Sequence, residues 1–352
     1  MRKNENIKGR LLYILSPEKG LLFKNLAFYT VNLRTARKEK LASVVAGKSI
    51  RILSRLRLAN RLMRLEPKCV GRLSDDIFVF VMFGKLYSLD IRSKTLCLTR
   101  NLRSGFSVLN FCEYNGCLYF GDYGVNKSYE SINIYRLSAD KNVTIAYTFK
   151  PEQIRHIHNI VNDTKTGRLW IFAGDNEPEA GIYYTDDEFK TVRRMAVGQQ
   201  AFRTVVAFPH ERELVYATDS VEKTNYIYKL YDTGKIDEIC EINGSCIYGT
   251  ETRNHYIFST TVESAEGQGI RALLSRKLGG GIKSREVHII AVDKKTLSAE
   301  VVARFEKDCW PMKLLQYGRT TFPGGQKDLD YVWTYVVACK KMDGQSLKID
   351  LK

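Results

Sequence analysis

Residues 153–220 read QIRHIHNIVNDTKTGRLWIFAGDNEPEAGIYYTDDEFKTVRRMAVGQQAFRTVVAFPHERELVYATDS, and this stretch writes one pattern twice. Arg155-His156-Ile157-His158 opens an apolar run that ends, past a Gly turn, in Leu169-Trp170-Ile171-Phe172-Ala173-Gly174-Asp175. Gln199-Gln200-Ala201-Phe202-Arg203 opens a second run that ends in Leu214-Val215-Tyr216-Ala217-Thr218-Asp219-Ser220. A unit of about 45 residues, with charged groups where one strand begins and an acid where the next ends, is the pattern of a β-propeller blade.

Outward from this repeat the chain is dominated by short Val, Ile, Tyr and Phe runs separated by Gly, Asn and Asp turns. Polar turns centre on Asn32, Asp90, Asp140, Asp187, Asp232 and Asp293, with a weaker case near Asp343 or Asp350. Seven turns imply seven blades in an all-β fold, with six as the alternative. A single domain over residues 1–352 is expected, because blades added around one axis enlarge a domain without dividing it. The strands near 11–15 and 21–31 show no blade of their own, and 331–351 reads as an incomplete blade. The two ends are therefore expected to share one, which leaves no open sheet edge.

Two turns carry more. Ser138-Ala139-Asp140-Lys141-Asn142-Val143-Thr144-Ile145 and Thr185-Asp186-Asp187-Glu188-Phe189-Lys190-Thr191-Val192 resemble the Asp-box of sialidase-like (BNR) propellers, S/T-x-D-x-G-x-T-W, without its Gly and Trp. Asp232-Thr233-Gly234 keeps the Asp-x-Gly core. The resemblance covers about residues 77–305 and implies Asp side chains that cap their own hairpin turns, away from any active site. Of the sialidase catalytic set, Arg155 and Arg203 fit two of three arginines, and no Tyr-Glu pair is matched.

The segment 49–66, SIRILSRLRLANRLMRLE, breaks the β pattern and predicts a short basic amphipathic helix on the rim, ending at Pro67. Such a helix at residues 50–66 suits an anionic membrane surface or a protein partner, against packing as an insertion between blades. Leu278-Gly279-Gly280-Gly281 lacks the Lys-Ser/Thr of a phosphate-binding loop and reads as a connection.

Composition narrows the partners. Lys and Arg number 55 against 39 acids, for a net charge of +16. The surface should attract polyanions, with an acidic carbohydrate preferred. A nucleic acid is not expected, since no basic-aromatic stripe or known module is present. The start of the chain shows no secretory leader and no run is long enough to span a membrane, so a cytoplasmic location is expected. The eight cysteines sit singly in apolar strands, as reduced core thiols do. Cys112 and Cys117 are expected to flank one hairpin turn, and Cys240 and Cys246 another.

Blade geometry then nominates a site. Loops that lead into innermost strands supply Arg103, Arg155, His156, His158, Gln199, Gln200, Arg203, Tyr248 and Lys313; loops that leave second strands supply Asp122, Asp175, Asp219 and Glu263. Together they are expected to line the channel mouth. His156, His158, Asp175, Asp219 and Glu263 are the catalytic candidates, and Arg155, Arg203, Gln200, Asp122, Tyr248 and Lys313 the substrate-binding ones. Guanidinium forks fit a carboxylate, and two acids would serve glycosidic cleavage. An imidazole base with Tyr248 or Tyr317 as proton donor would serve a uronate lyase. Side-chain alternation sends His156 and His158 one way and Arg155 the other. No metal-ligand motif is found, and no cofactor is expected. The expected function is a carbohydrate-active propeller for an acidic glycan, by glycosidase or lyase chemistry. The alternative is a non-catalytic propeller that binds a glycan, nucleotide-sugar or protein, as in surface polysaccharide assembly.

Overall fold

A computed structural model describes residues 6–351. The first residues, on which the reading of the chain's start partly rests, lie outside that range. Among the described residues the chain forms seven four-stranded antiparallel sheets and four short helices, a seven-bladed β-propeller. Blades are numbered here in chain order. Chain contacts divide it into two compact units: Met1–Glu66, Asp219–Ile227 and Glu238–Lys352; and Pro67–Thr218 with Tyr228–Asp237. We call them the first and second unit.

In the second unit, blade 2 comprises Val70–Arg72, Ile77–Met82, Lys85–Asp90 and Thr95–Asn101. Blade 3 comprises Cys112–Tyr114, Cys117–Gly121, Ile132–Leu137 and Val143–Phe149. Blade 4 comprises Ile157–Asp163, Arg168–Ala173, Gly181–Thr185 and Arg193–Val197, and blade 5 starts with Thr204–His210 and Glu213–Thr218. The burial of these strands follows their sequence. Second strands such as IFVFVM and RLWIFA are apolar without alternation and almost wholly buried, as a strand covered on both faces must be. Fourth strands such as TLCLTRN are largely exposed and mix polar with apolar residues. Gly121 allows close packing of blade 3 on blade 4, because a Cβ there would collide with the Ile157 side chain.

Six of the polar turns seen in the sequence lie between third and fourth strands, and Asp343 lies between the second and third strands of blade 7. Asn32 accepts the amides of Arg34 and Thr35, Asp90 those of Arg92 and Ser93, and Asp293 those of Lys295 and Thr296. Asp187 accepts the Thr191 amide at 2.9 Å and its hydroxyl at 2.7 Å, and Asp140 accepts the Asn142 amide. Local side-chain capping of this kind makes a tight turn without glycine.

The first unit contains blade 1 (Arg10–Ser16, Lys19–Lys24, Ala27–Asn32, Lys38–Ser43), blade 6 (Cys246–Glu251, His255–Thr260, Glu286–Asp293, Ala299–Glu306) and blade 7. The chain ends do share a blade: Asn6–Lys8 pairs with Gln345–Asp350 as the outer strand of blade 7, beside Tyr331–Val337 and Arg319–Thr321. Ser346, fully buried, donates to the Gly9 carbonyl and accepts the Leu11 amide.

Three expectations are corrected. The N-terminal strands build a complete blade 1. Its hairpin escaped notice because Asn25 and Leu26 take left-handed φ of 50° and 60° with no glycine between them. Cys112 and Cys117 do flank a hairpin at Asn115-Gly116, but Cys240 and Cys246 lie on strands of different sheets, so Asn243-Gly244 joins two blades. The helical segment is two pieces, Lys48–Leu53 and Arg57–Met63. Its faces are also mixed: Arg61 is 1% exposed, while Ile52, Leu56 and Leu62 are 50–62% exposed beside exposed Arg51, Arg55 and Arg64. No helix among the described residues is long and apolar enough to cross a membrane.

Candidate functional site

The sequence candidates divide between the units. In the second unit, His156, His158, Asp175, Gln200 and Arg203 form one cluster. His156 precedes the first strand of blade 4, His158 lies in it, Asp175 follows its second strand, and Arg203 precedes blade 5. Alternation alone puts both imidazoles on one side. A bulge then breaks the register between Ile157 and Asn159, so His158 is the unpaired residue. Bulges of this kind re-aim a side chain. The result is an Nε2-to-Nε2 distance of 2.9 Å.

Each remaining ring nitrogen has a backbone partner. His156 Nδ1 lies 2.8 Å from the Gly124 carbonyl and His158 Nδ1 3.0 Å from the Thr204 carbonyl. A carbonyl only accepts, so both Nδ1 atoms donate to it and each ring turns its Nε2 toward the other. Both Nε2 atoms face Asp175 Oδ1, at 3.4 Å from His156 and 3.2 Å from His158. Asp175 is fixed from its other side. Arg203 Nη2 lies 3.1 Å from the same Oδ1, and Gln200 donates to the Asp175 carbonyl at 2.7 Å. Burial alone would raise the Asp175 pKa, but hydrogen bonds and charge from the two imidazoles outweigh it and push the group far below the usual carboxylate range. Gly174, at φ 78°, makes the turn that delivers Asp175, and a Cβ there would strike the Glu179 carbonyl.

Arg155 points away, as alternation requires. Its amide bonds to Glu179, and its guanidinium donates to the Tyr129 hydroxyl at 3.1 Å. Tyr129 donates in turn to Glu179, and Asn176 bonds to both. Arg155 is thus held in a scaffold network. Glu179, 4% exposed, is its centre and was missed in the sequence, where it reads as part of an ordinary polar turn.

A cavity of about 300 Å³ in the second unit lies beside Asp122. Its lining includes Arg100, Arg103, Phe106, Phe120, Asp122 and Tyr135. Asp122 is buried and accepts from the Asn133 amide at 3.1 Å, from Arg103 at 3.4 Å and from the Tyr135 hydroxyl at 3.4 Å. Burial pushes the pKa of both Asp122 and Tyr135 up. Cavity and cluster share the segment 122–124: Asp122 lines the first, the Tyr123 ring lies 4.7 Å from the His156 ring, and Gly124 accepts from His156.

The other candidates belong to the first unit. Asp219 is buried after the second strand of blade 5, and Glu263 accepts from the Thr261 hydroxyl at 2.6 Å. Tyr248 lies within the first strand of blade 6, its hydroxyl 3.2 Å from that of Tyr317, with Arg319 over both rings. Lys313 sits on the helix Met312–Leu315 and donates to the Gly267 carbonyl.

No family model matches the chain, and no curated protein matches it. Solved structures similar to it include an oligogalacturonate lyase from Vibrio parahaemolyticus, at 10% identity and a TM-score of 0.55, covering 94% of this chain and 87% of that one. The AfRom2 CNH domain is similar at 6% identity and a TM-score of 0.57, covering 99% and 96%. The extracellular domain of a one-component system from B. thetaiotaomicron is similar at 9% identity and a TM-score of 0.56, covering 99% of this chain and 39% of that one. At these identities the likeness is one of propeller fold.

Proposed function

We propose that the protein binds an acidic glycan in the second unit and cleaves it by elimination. The observation that carries this reading is the cavity where Arg100 and Arg103 accompany one buried carboxylate, Asp122, and the Tyr135 hydroxyl. The guanidinium groups suit a uronate carboxylate, and neutralising it acidifies the neighbouring C–H. Asp122, made more basic by burial, takes that proton; the C–O bond to the leaving sugar breaks as the double bond forms, and Tyr135 protonates the leaving oxygen. The proton on Asp122 then returns to Tyr135 across their 3.4 Å contact. Hydrolysis fits less well, because Asp175 is held ionised and makes a poor general acid.

The net charge of +16 and the fold shared with an oligogalacturonate lyase support an acidic substrate. The capped turns at Asp140 and Asp187 support a sialidase-like, Asp-box kinship for the blades. Five buried cysteines behave as core thiols, and we take the cytoplasm as the place of action. The exposed Ile52, Leu56 and Leu62 beside Arg51, Arg55 and Arg64 support contact with an anionic membrane surface. On vesicles rich in phosphatidylserine, Ile52→Glu should reduce co-sedimentation; equal binding by the variant removes that contact from the proposal.

The test of the main reading is incubation with oligogalacturonides and other uronides, following the ultraviolet absorbance of unsaturated ends. Asp122→Asn should abolish the signal, and Arg100→Ala should raise KM more than it lowers kcat. No unsaturated product from any uronide rejects elimination. A non-catalytic binding role is favoured by Arg103, whose donors are also engaged by Ser131 and Glu130. Calorimetric binding without turnover would select it.

A further inference from the structure

At the head of blade 4 three acceptor atoms converge: His156 Nε2, His158 Nε2 and Asp175 Oδ1, separated by 2.9, 3.2 and 3.4 Å. With both Nδ1 atoms committed to backbone carbonyls, each ring turns its Nε2 into this triangle. We propose that this cluster binds a divalent first-row transition cation, of zinc type, through those three atoms.

Four features carry the proposal. The separations match a coordination sphere: ligands at about 2.0–2.1 Å in tetrahedral geometry lie about 3.3 Å from one another, so a cation would rest on the order of 1 Å above the triangle. Two imidazoles and one carboxylate suit a transition cation better than calcium or magnesium, which prefer oxygen. The surroundings are those of a built site, since each histidine donates its other ring N–H to a carbonyl, which fixes the tautomer and aims the lone pair. Finally, Arg203 takes one lone pair of Asp175 Oδ1 and leaves another for the cation, while Gln200 anchors the Asp175 backbone. The histidines are 4% and 2% exposed and Asp175 is more open, so a fourth position would face the Asp175 side and accept water or an anionic ligand group. This site stands independently of the glycan reading, because the metal alone tests it.

The experiment strips the full chain with a chelator, dialyses it against zinc and, separately, manganese, and measures bound metal by elemental analysis. The expected result is one ion per chain for the wild type. Affinity should fall by at least about 100-fold in His158→Ala and in Asp175→Ala. His210→Ala, outside the cluster, should bind as the wild type does. Circular dichroism checks that the variants fold. X-ray absorption on the loaded wild type needs no variant, and should show two imidazoles in the first coordination sphere. Wild-type uptake no greater than that of the two ligand variants, or bound metal without imidazole scattering, overturns the proposal. If metal binds but no uronide is cleaved, the glycan reading falls and the metal site stands.

Discussion

Arg61 in the first unit and the His156–His158 pair in the second are almost equally buried, yet their surroundings differ in kind. Arg61 meets Asp308 at 2.5 Å and Asp343 at 3.2 Å, and its Nε donates to the Leu315 carbonyl. Asp308 also holds Lys307, and Asp343 also holds Arg57, which reaches Glu66 at 2.6 Å. Cations and anions there alternate, with Arg57, Arg61 and Lys307 set against Glu66, Asp308 and Asp343. The histidine cluster has one carboxylate, one arginine and two imidazole Nε2 atoms aimed at the same point. A buried network whose charges pair off one against another acts as scaffold, whereas three ligand-type atoms converging on one point make a place for an ion.

The sharpest way to break the comparison is Arg61→Ala. It strands Asp308 and Asp343 in the interior, and a loss of about 3–5 kcal/mol is expected in urea unfolding. A loss below 1 kcal/mol would show that the network is not scaffold. The second effect belongs to the other cluster. Wild-type protein at a hundredfold excess of zinc over its Kd should gain about 2.7 kcal/mol, removed by chelator and absent in His158→Ala. Arg61→Ala, if folded, should keep the zinc increment, since it leaves the cluster intact.

The third is a pH effect of smaller size. For Asp343, burial pushes the pKa up, but Arg57 and Arg61 prevail and hold it below the usual carboxylate value. A depressed folded pKa contributes stability that is fully present above the unfolded value of about 3.9 and is lost as pH falls through the folded one. Asp343→Asn should therefore flatten the acid limb of stability measured between pH 5 and pH 2. An unchanged acid limb would show that Asp343 gains nothing from its arginines.

The turns were readable because their chemistry is local: a side chain at position 32, 90 or 293 caps amides two and three residues later. The same holds for the apolar second strands. The shared orientation of His156 and His158 followed from alternation, and Asp175 from its place after a second strand. That His158 meets His156 at hydrogen-bonding distance depends on a bulge, and that Arg203 rather than Arg155 holds Asp175 depends on packing between strands. Neither leaves a mark in the spacing. Arg61 shows the opposite failure. In a segment where Leu and Arg interleave, an amphipathic reading sends arginine to water, but the carboxylates that draw it inward lie 247 and 282 positions away.

Ser346 joins Gly9 and Leu11 across 337 and 335 positions of sequence. A ribosome making this chain therefore releases the N-terminal strand long before its partner exists. Until residues 345–350 have been made, Asn6–Lys8 has no sheet to complete, and blade 7 cannot be sealed. A nascent chain halted before residue 345 would leave that seam open to any other extended strand.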